Sequence, residues 1–171
     1  MKTARMVASV ILSLTEGIAQ AGGWYLGASA GLMDNNVSGY DDATNVGALL
    51  GYDVYTRDIV AVSLEGEITT TASKGDVSTN GLDGDWNIDT QAAYVAARLG
   101  DRVYMKVRYG VLREDASVKI GGVSQSDTDT GGSWGGALGW MLTPQWGIQL
   151  DGTLVESDVN YWNLGVKYHF Q

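Results

Sequence analysis

From Asn160 to Phe170 the chain alternates without a break. Trp162, Leu164, Val166, Tyr168 and Phe170 are apolar or aromatic, and Asn163, Gly165, Lys167 and His169 between them are polar or small. Successive side chains of an extended strand point to opposite faces, so a period of two marks a strand with one apolar side and one polar side. The same period runs through seven more segments. Trp24, Leu26, Ala28, Ala30 and Leu32 alternate with Tyr25, Gly27, Ser29 and Gly31; Val46, Ala48, Leu50 and Tyr52 oppose Gly47, Leu49, Gly51 and Asp53. Val60, Val62, Leu64 and Ile68 oppose Ser63, Glu65 and Glu67, and Ala93, Val95, Ala97 and Leu99 oppose Tyr94, Ala96 and Arg98. Val103, Met105, Val107, Tyr109 and Val111 face away from Tyr104, Lys106, Arg108 and Gly110. The pattern closes with Trp134, Leu138, Trp140 and Leu142 against Ser133, Gly135, Ala137 and Gly139, then Ile148, Leu150 and Leu154 against Gln149, Asp151 and Thr153. Asn87 to Gln91 shows no parity, and no sustained helical stripe appears after the N-terminal segment.

The connections between these segments alternate in length. Residues 54–58, 100–102 and 143–145 read as tight turns, whereas 33–43, 72–86 and 114–132 read as long polar loops rich in Asp, Gly and Ser; the connection around 156–159 is short. With eight antiparallel strands, the tight turns and both chain ends fall at one rim and the long loops at the other. Short inner turns and longer outer loops are the layout of a membrane-spanning barrel. The pattern therefore predicts an all-β fold, an eight-stranded antiparallel up-and-down transmembrane β-barrel with a side-chain-filled lumen.

Residues 1–21 stand apart from that pattern. Lys2 and Arg5 form a basic start, Met6 to Leu14 a short apolar run, and Ala19-Gln20-Ala21 a small-residue cleavage site, so the segment is expected to be a removable signal peptide and 22–171 a single barrel domain. The apolar run is too short for a membrane-spanning helix. Taking Lys2, Arg5 and Glu16 away from eleven basic and twenty acidic residues leaves nine against nineteen. A chain so acidic argues against nucleic acid as a partner. Export would permit disulfides, yet there is no cysteine, so stability must come from packing and backbone pairing.

Period two alone does not say which face is outside. In a soluble lipocalin-like barrel the apolar face would line a ligand cavity and the polar face would meet water. Here the polar face is crowded with Gly27, Ser29, Gly31, Gly47, Gly51, Gly135, Ala137, Gly139 and Gly165, small residues that suit a narrow interior better than a solvated surface. Its charges also balance: Asp53, Glu65, Glu67 and Asp151 against Arg98, Lys106, Arg108 and Lys167. Enclosed ions need partners, and these eight residues are expected to form an ion-pair network in the lumen. On the apolar face, Trp24, Tyr52, Trp140, Tyr168 and Phe170 gather toward the turn-side rim, and Tyr109, Trp134 and Trp162 toward the loop side. Two aromatic belts around an aliphatic band fit the two surfaces of a bilayer.

"GWYLGASAG", "GYDVYTRDIVAVSLEGE", "GWMLTPQWGIQLDG" and the closing "NLGVKYHF" together resemble the small eight-stranded outer-membrane barrels of Gram-negative bacteria, the OmpA transmembrane domain and the OmpX/Ail-like proteins. The resemblance spans the chain after residue 21. It implies a bacterial outer-membrane location, a monomer set among lipid and lipopolysaccharide, and passage through periplasmic chaperones to the barrel-assembly machinery. It also implies that Val166, Tyr168 and Phe170 act as the sorting signal, although Gln171 follows the aromatic that usually ends such chains. The roles it implies are structural, or adhesion and resistance to host defence exercised through the loops. A porin-like small pore is a second reading, and a soluble periplasmic ligand-binding barrel a third.

Gly27-Ala28-Ser29-Ala30-Gly31 matches the G-x-S-x-G nucleophile elbow, and Asp151 and His169 follow in triad order. The elbow requires a strand, a sharp turn and a helix, and Ser29 instead sits mid-strand among glycines. The single histidine, His169, is expected at the turn-side mouth. Glu65 and Glu67 could do paired acid–base work, but the nearby lysines and arginines favour structural ion pairs. Asp83-Gly84-Asp85-Trp86-Asn87 opens like a calcium loop, yet Ile88 stands where the turn glycine belongs. These readings give no catalytic residue, no metal ligand and no cofactor. The loops carry much acid, with Asp34, Asp41, Asp42, Asp76, Asp83 and Asp129 among it. Trp86 and Tyr40 are expected there as contacts for a host or surface ligand, or as part of the outer aromatic belt.

Overall fold

The computed structural model describes residues 23–35, 41–79, 82–121, 123–155 and 159–170. The segment read as a signal peptide, Tyr40 and Gln171 lie outside these residues. The described chain is built from strands: β1 Trp24–Asn35, β2 Ala43–Arg57, β3 Val60–Ser73, β4 Gly75–Thr79, β5 Leu82–Gly100, β6 Val103–Ile120, β7 Val123–Met141, β8 Trp146–Leu154 and β9 Val159–His169. They form one antiparallel sheet in the order β3-β2-β1-β9-β8-β7-β6-β5-β4, and β3 pairs with β5 to close it. Strand β4 follows β3 after Lys74 and pairs with the same neighbour, so the barrel has eight staves, one of them in two pieces. The ends of the chain meet along β1 and β9, with Ala28 opposite Val166 and Leu32 opposite Trp162.

Two of the expected loops are in fact hairpins. Within residues 72–86, β4 and the start of β5 are paired from Gly75↔Trp86 to Thr79↔Leu82. Within 114–132, β6 and β7 stay in register out to Ile120↔Val123. Periodicity missed both because these strand ends are polar on the outward side and carry no continuous apolar stripe. Threonine and valine are nevertheless good strand residues, and cross-strand polar bonds replace apolar contacts. The Ser117 and Ser126 hydroxyls are 2.7 Å apart, and the Thr128 hydroxyl donates to Asp115 at 2.5 Å.

The faces are sorted as a membrane barrel requires. Leu26, Leu50, Val95, Val107, Leu138, Leu150 and Leu164 all point outward and stay about half exposed or more, whereas the charged and small residues of the alternate face point inward. A continuous apolar exterior of this extent belongs in hydrocarbon rather than water, so the inside-out, lipocalin-like alternative does not describe this chain. Aromatic rings mark the turn-side edge of the band. Trp24 and Tyr52 have ring centroids 4.9 Å apart, Trp146 and Tyr168 4.9 Å, and Tyr168 and Phe170 5.1 Å. Exposed Tyr109, Trp134 and Trp162 mark the other edge, with Tyr109 directly opposite Trp134.

Trp86 corrects an expectation. It is buried, 3% exposed, and lies in a cluster with Met33, Ile88, Leu112, Val159 and Tyr161 that fills the lumen at its outer end. Its indole nitrogen donates to the Asp41 carbonyl at 2.8 Å. Once β5 is seen to extend through 82–100, the parity missing from 87–91 appears: Trp86, Ile88 and Thr90 point in, Asp89 and Gln91 point out. Trp86 is thus an interior residue, neither a belt residue nor a surface contact.

Leu164 sits on the outward face of β9, paired with Ala30 on one side and Leu150 on the other. Leu164→Arg should lower stability by about 2–4 kcal/mol in phospholipid bilayers, as expected for a charge near the midplane. Urea unfolding of the variant and the parent checks this, and equal midpoints would mean that the outward face does not meet hydrocarbon.

Candidate functional site: an ion network in a closed lumen

The alternation of β3, β6, β8 and β9 aims charged side chains from different walls at one point. Glu65 on β3 is at the centre. Lys106 Nζ of β6 lies 2.9 Å from Glu65 Oε1 and 3.1 Å from Oε2. Lys167 Nζ of β9 approaches the same carboxylate at 3.5 Å, and Arg108 Nη1 at 3.8 Å. Arg108 forms a two-pronged pair with Glu67, at 2.8 and 3.1 Å. Lys106 also reaches Asp151 at 3.6 Å. Nearer the turn-side mouth, Arg98 and Asp53 meet at 3.5 Å. The structure therefore brings all eight charged residues singled out in the sequence to the inner face and joins them into pairs, with seven of them buried and Arg98 partly exposed.

Several members of this network carried no charge signal in the sequence. The Tyr25 hydroxyl donates to Glu65 at 2.8 Å, and the Tyr104 hydroxyl to Gln149 at 2.9 Å. Gln149 in turn donates to Asp151 at 2.6 Å, while Arg108 donates to the Thr153 hydroxyl at 2.6 Å. Arg108 also stacks over the Tyr94 ring, 4.4 Å from its centroid. The rings of Tyr25 and Tyr104 lie over Gly51 and Gly139 of adjacent strands, where a Cβ would collide with them. Those two glycines are therefore required by close approach. Parity placed the tyrosines inside, but pairing each with its glycine needs the register between strands, which periodicity does not supply.

The network leaves almost no free space. A cavity of about 500 Å³ opens at the turn-side mouth among Ile59, Arg98, Arg102, Met141, Pro144 and His169. Arg98 and His169 also border the next space inward, between Tyr25, Glu65, Lys106 and Lys167, and that space shrinks to about 10 Å³. A single water needs roughly 10–15 Å³. Beyond it, among the described residues, the apolar cluster around Trp86 fills the outer end of the lumen.

The other candidate sites are not assembled. Ser29 pairs with Gly165 of β9, whereas His169 pairs with Tyr25, four residues further along the strand. At about 3.3 Å per residue the serine and imidazole are far beyond hydrogen-bond reach. Residues 83–87 are part of strand β5, and no cluster suited to a metal ion occurs among the described residues.

Comparison with known proteins agrees with this architecture. The model of the family described as Outer membrane protein beta-barrel domain matches residues 6–170. Among solved structures, Ail, the attachment invasion locus protein of Yersinia pestis, aligns at 21% identity over 87% of this chain and 97% of its own, with a TM-score of 0.58. Ail in complex with the heparin analogue sucrose octasulfate aligns at 18% identity with the same coverage and TM-score. The outer membrane protein OprG from Pseudomonas aeruginosa reaches a TM-score of 0.66 at 10% identity, over 89% of this chain and 97% of its own. Among curated proteins, nothing matches.

Replacing Glu65 by Gln would leave Lys106, Lys167 and Arg108 around a neutral amide. Removing one partner of a buried ion pair typically costs about 3–5 kcal/mol. Glu65→Gln should therefore unfold at markedly lower urea than the parent in bilayers, while Asp115→Asn, on the outer hairpin, should not. Equal effects of the two substitutions would remove the lumen network from its structural role.

Proposed function

The chain belongs to the outer membrane protein β-barrel family, and we propose that it is a closed envelope barrel acting as a surface-interaction module, in adhesion or resistance to host defence, through its acidic outer rim. The observation that carries this reading is the closed lumen: with ion pairs in the middle and an apolar cluster outside them, the chemistry on offer to a partner is that of the outer ends. There Asp41 and Asp42 before β2, and Asp127 and Asp129 on β7, are exposed. Ail is solved with a sulfated, polyanionic ligand. A rim of carboxylates has the opposite preference, so the partner proposed here is a cationic protein or peptide surface, drawn in by long-range attraction that salt weakens.

The same proposal covers delivery. Residues 1–21 serve as the signal peptide, and Val166, Tyr168 and Phe170, which point outward at the end of the barrel, serve as the sorting signal presented to chaperones and the barrel-assembly machinery. The mature protein is a monomer among outer-membrane lipids, and it is not an enzyme.

Two measurements test the reading. Binding of a polylysine probe to the protein in nanodiscs should weaken with added salt and fall further when Asp41, Asp42, Asp127 and Asp129 are all changed to Asn; unchanged binding would remove the acidic rim from the proposal. In planar bilayers the parent should show no steady conductance, because ion passage would require the Glu65 and Glu67 pairs to open. Sustained ohmic conductance would favour the small-pore reading instead.

A further inference from the structure

The three tight turns and the end of β9 surround one space. Ile59 of the β2–β3 turn, Arg102 of the β5–β6 turn, Met141 and Pro144 at the β7–β8 turn, and His169 all line the cavity of about 500 Å³ at the turn-side mouth. Backbone bonds tie these pieces to one another. The Gly100 N–H donates to the Ile59 carbonyl at 2.8 Å, Met141 to Arg102 at 2.7 Å, and His169 to Gln145 at 2.8 Å. The walls are therefore set by paired backbone, like the barrel above them.

Two side chains at the inner end of this cavity have hydrogen-bonding capacity that the lumen network does not use. Arg98 and His169 border both the cavity and the narrow space beyond it. Deeper in the lumen Arg108 grips Glu67 with two bonds, at 2.8 and 3.1 Å, whereas Arg98 meets Asp53 through one nitrogen at 3.5 Å. A guanidinium carries five N–H donors in a planar fork, so Asp53 takes one edge of Arg98 and leaves the rest to a second acceptor. The His169 ring is stacked on Tyr25, with centroids 5.0 Å apart, and its buried Nε2 has no hydrogen-bond partner among the described residues. A buried polar atom left unpaired is costly.

We infer that this mouth is a binding site for the free carboxylate end of a short peptide on the periplasmic side, where the short turns of such barrels lie. The carboxylate sits on the unused edge of the Arg98 fork, drawn inward past Arg102, which is exposed and makes no ion pair among the described residues. The residues behind the carboxylate lie against Ile59, Met141 and Pro144. Size and lining argue for a peptide over a simple anion, because a cavity of this volume with apolar walls and a few polar groups is built to hold an organic molecule. Capture of a terminal carboxylate is one of the recurring modes of peptide recognition. Asp58 and Asp101 also border the cavity, but both are exposed, and Asp58 stands 3.7 Å from Arg57. Solvent screens such rim charges far more than it screens the partly buried Arg98. The cavity lies at the opposite end of the barrel from the acidic outer rim, and binding at one end does not require binding at the other.

His169 is the single histidine of the chain, so the imidazole signals of isotopically labelled, untagged protein in micelles report on this cavity alone. The probes are acetyl-Ala-Ala, the same peptide as its C-terminal amide, and sodium acetate. The free-carboxylate peptide should shift the His169 signals saturably, and the amide and acetate should each bind about ten-fold more weakly or worse, the scale of one lost charged hydrogen bond or of the apolar contacts. Arg98→Gln should weaken peptide binding about ten-fold. Arg102→Gln, an exposed turn substitution outside the lumen network, should weaken it about three-fold and serves if Arg98→Gln fails the heat-modifiability check for folding. Asp127→Asn with Asp129→Asn should leave it unchanged. No saturable shift, equal affinity for the peptide and its amide, acetate binding as tightly as the peptide, or undiminished binding by the folded arginine variants would each overturn the assignment.

Discussion

Closure of the backbone ladder is the constraint on which the rest of this molecule depends. In hydrocarbon every peptide group must find its partner within the protein, so a sheet can cross only if it has no free edge. The pairings β1–β9 and β3–β5 remove both edges. Eight staves then enclose a space just wide enough for side chains. Everything on the inner face is forced together, including four acids and four bases that would be costly to enclose singly. The ion network is therefore a consequence of closure as much as a stabilising device: once the wall is closed, each inward charge must be met by another.

The lumen is sealed by two different kinds of chemistry. In the middle, Glu65 is held by Lys106 and Lys167, and Glu67 by Arg108, with the tyrosines lying over glycines to fill the remaining volume. At the outer end, Met33, Trp86, Ile88, Leu112 and Tyr161 form a small apolar core of the kind found in soluble domains. The second seal stands above the lipid belt, where the outer hairpins meet water on their other side. Strands there need an apolar interior because the membrane no longer supplies an apolar exterior.

That change of environment explains what the sequence revealed and what it withheld. Within the bilayer the alternation is regular, since one face meets lipid and the other the lumen; Asn160 to Phe170 is the clearest case, and parity pointed to eight inward charges but not to Glu114, which is also buried and lies in a stretch of β6 that reads as a loop. Above the bilayer both faces can be polar, so the upper halves of β6 and β7 looked like a loop although they pair residue for residue out to Ile120 and Val123. Trp86 was misplaced for the same reason, because a tryptophan in an apparent loop has no assigned face until the strand around it is recognised. Partners across the lumen, such as Tyr104 and Gln149, depend on stagger between strands and leave no trace in a single strand's pattern.

The outer hairpins carry two surfaces of different kind on opposite faces of the same strands. On β7, Asp127 and Asp129 point to one side and Ser126, Thr128 and Thr130 to the other, and the strand period makes this separation automatic. One face bears exposed carboxylates around the mouth, available to long-range attraction. The other mixes hydroxyls, amides and charges of both signs, so its interactions are short-range and directional. A rigid sheet can keep these surfaces apart in a way that a mobile loop cannot, and the ladder that carries the barrel through the membrane continues upward to hold them in place.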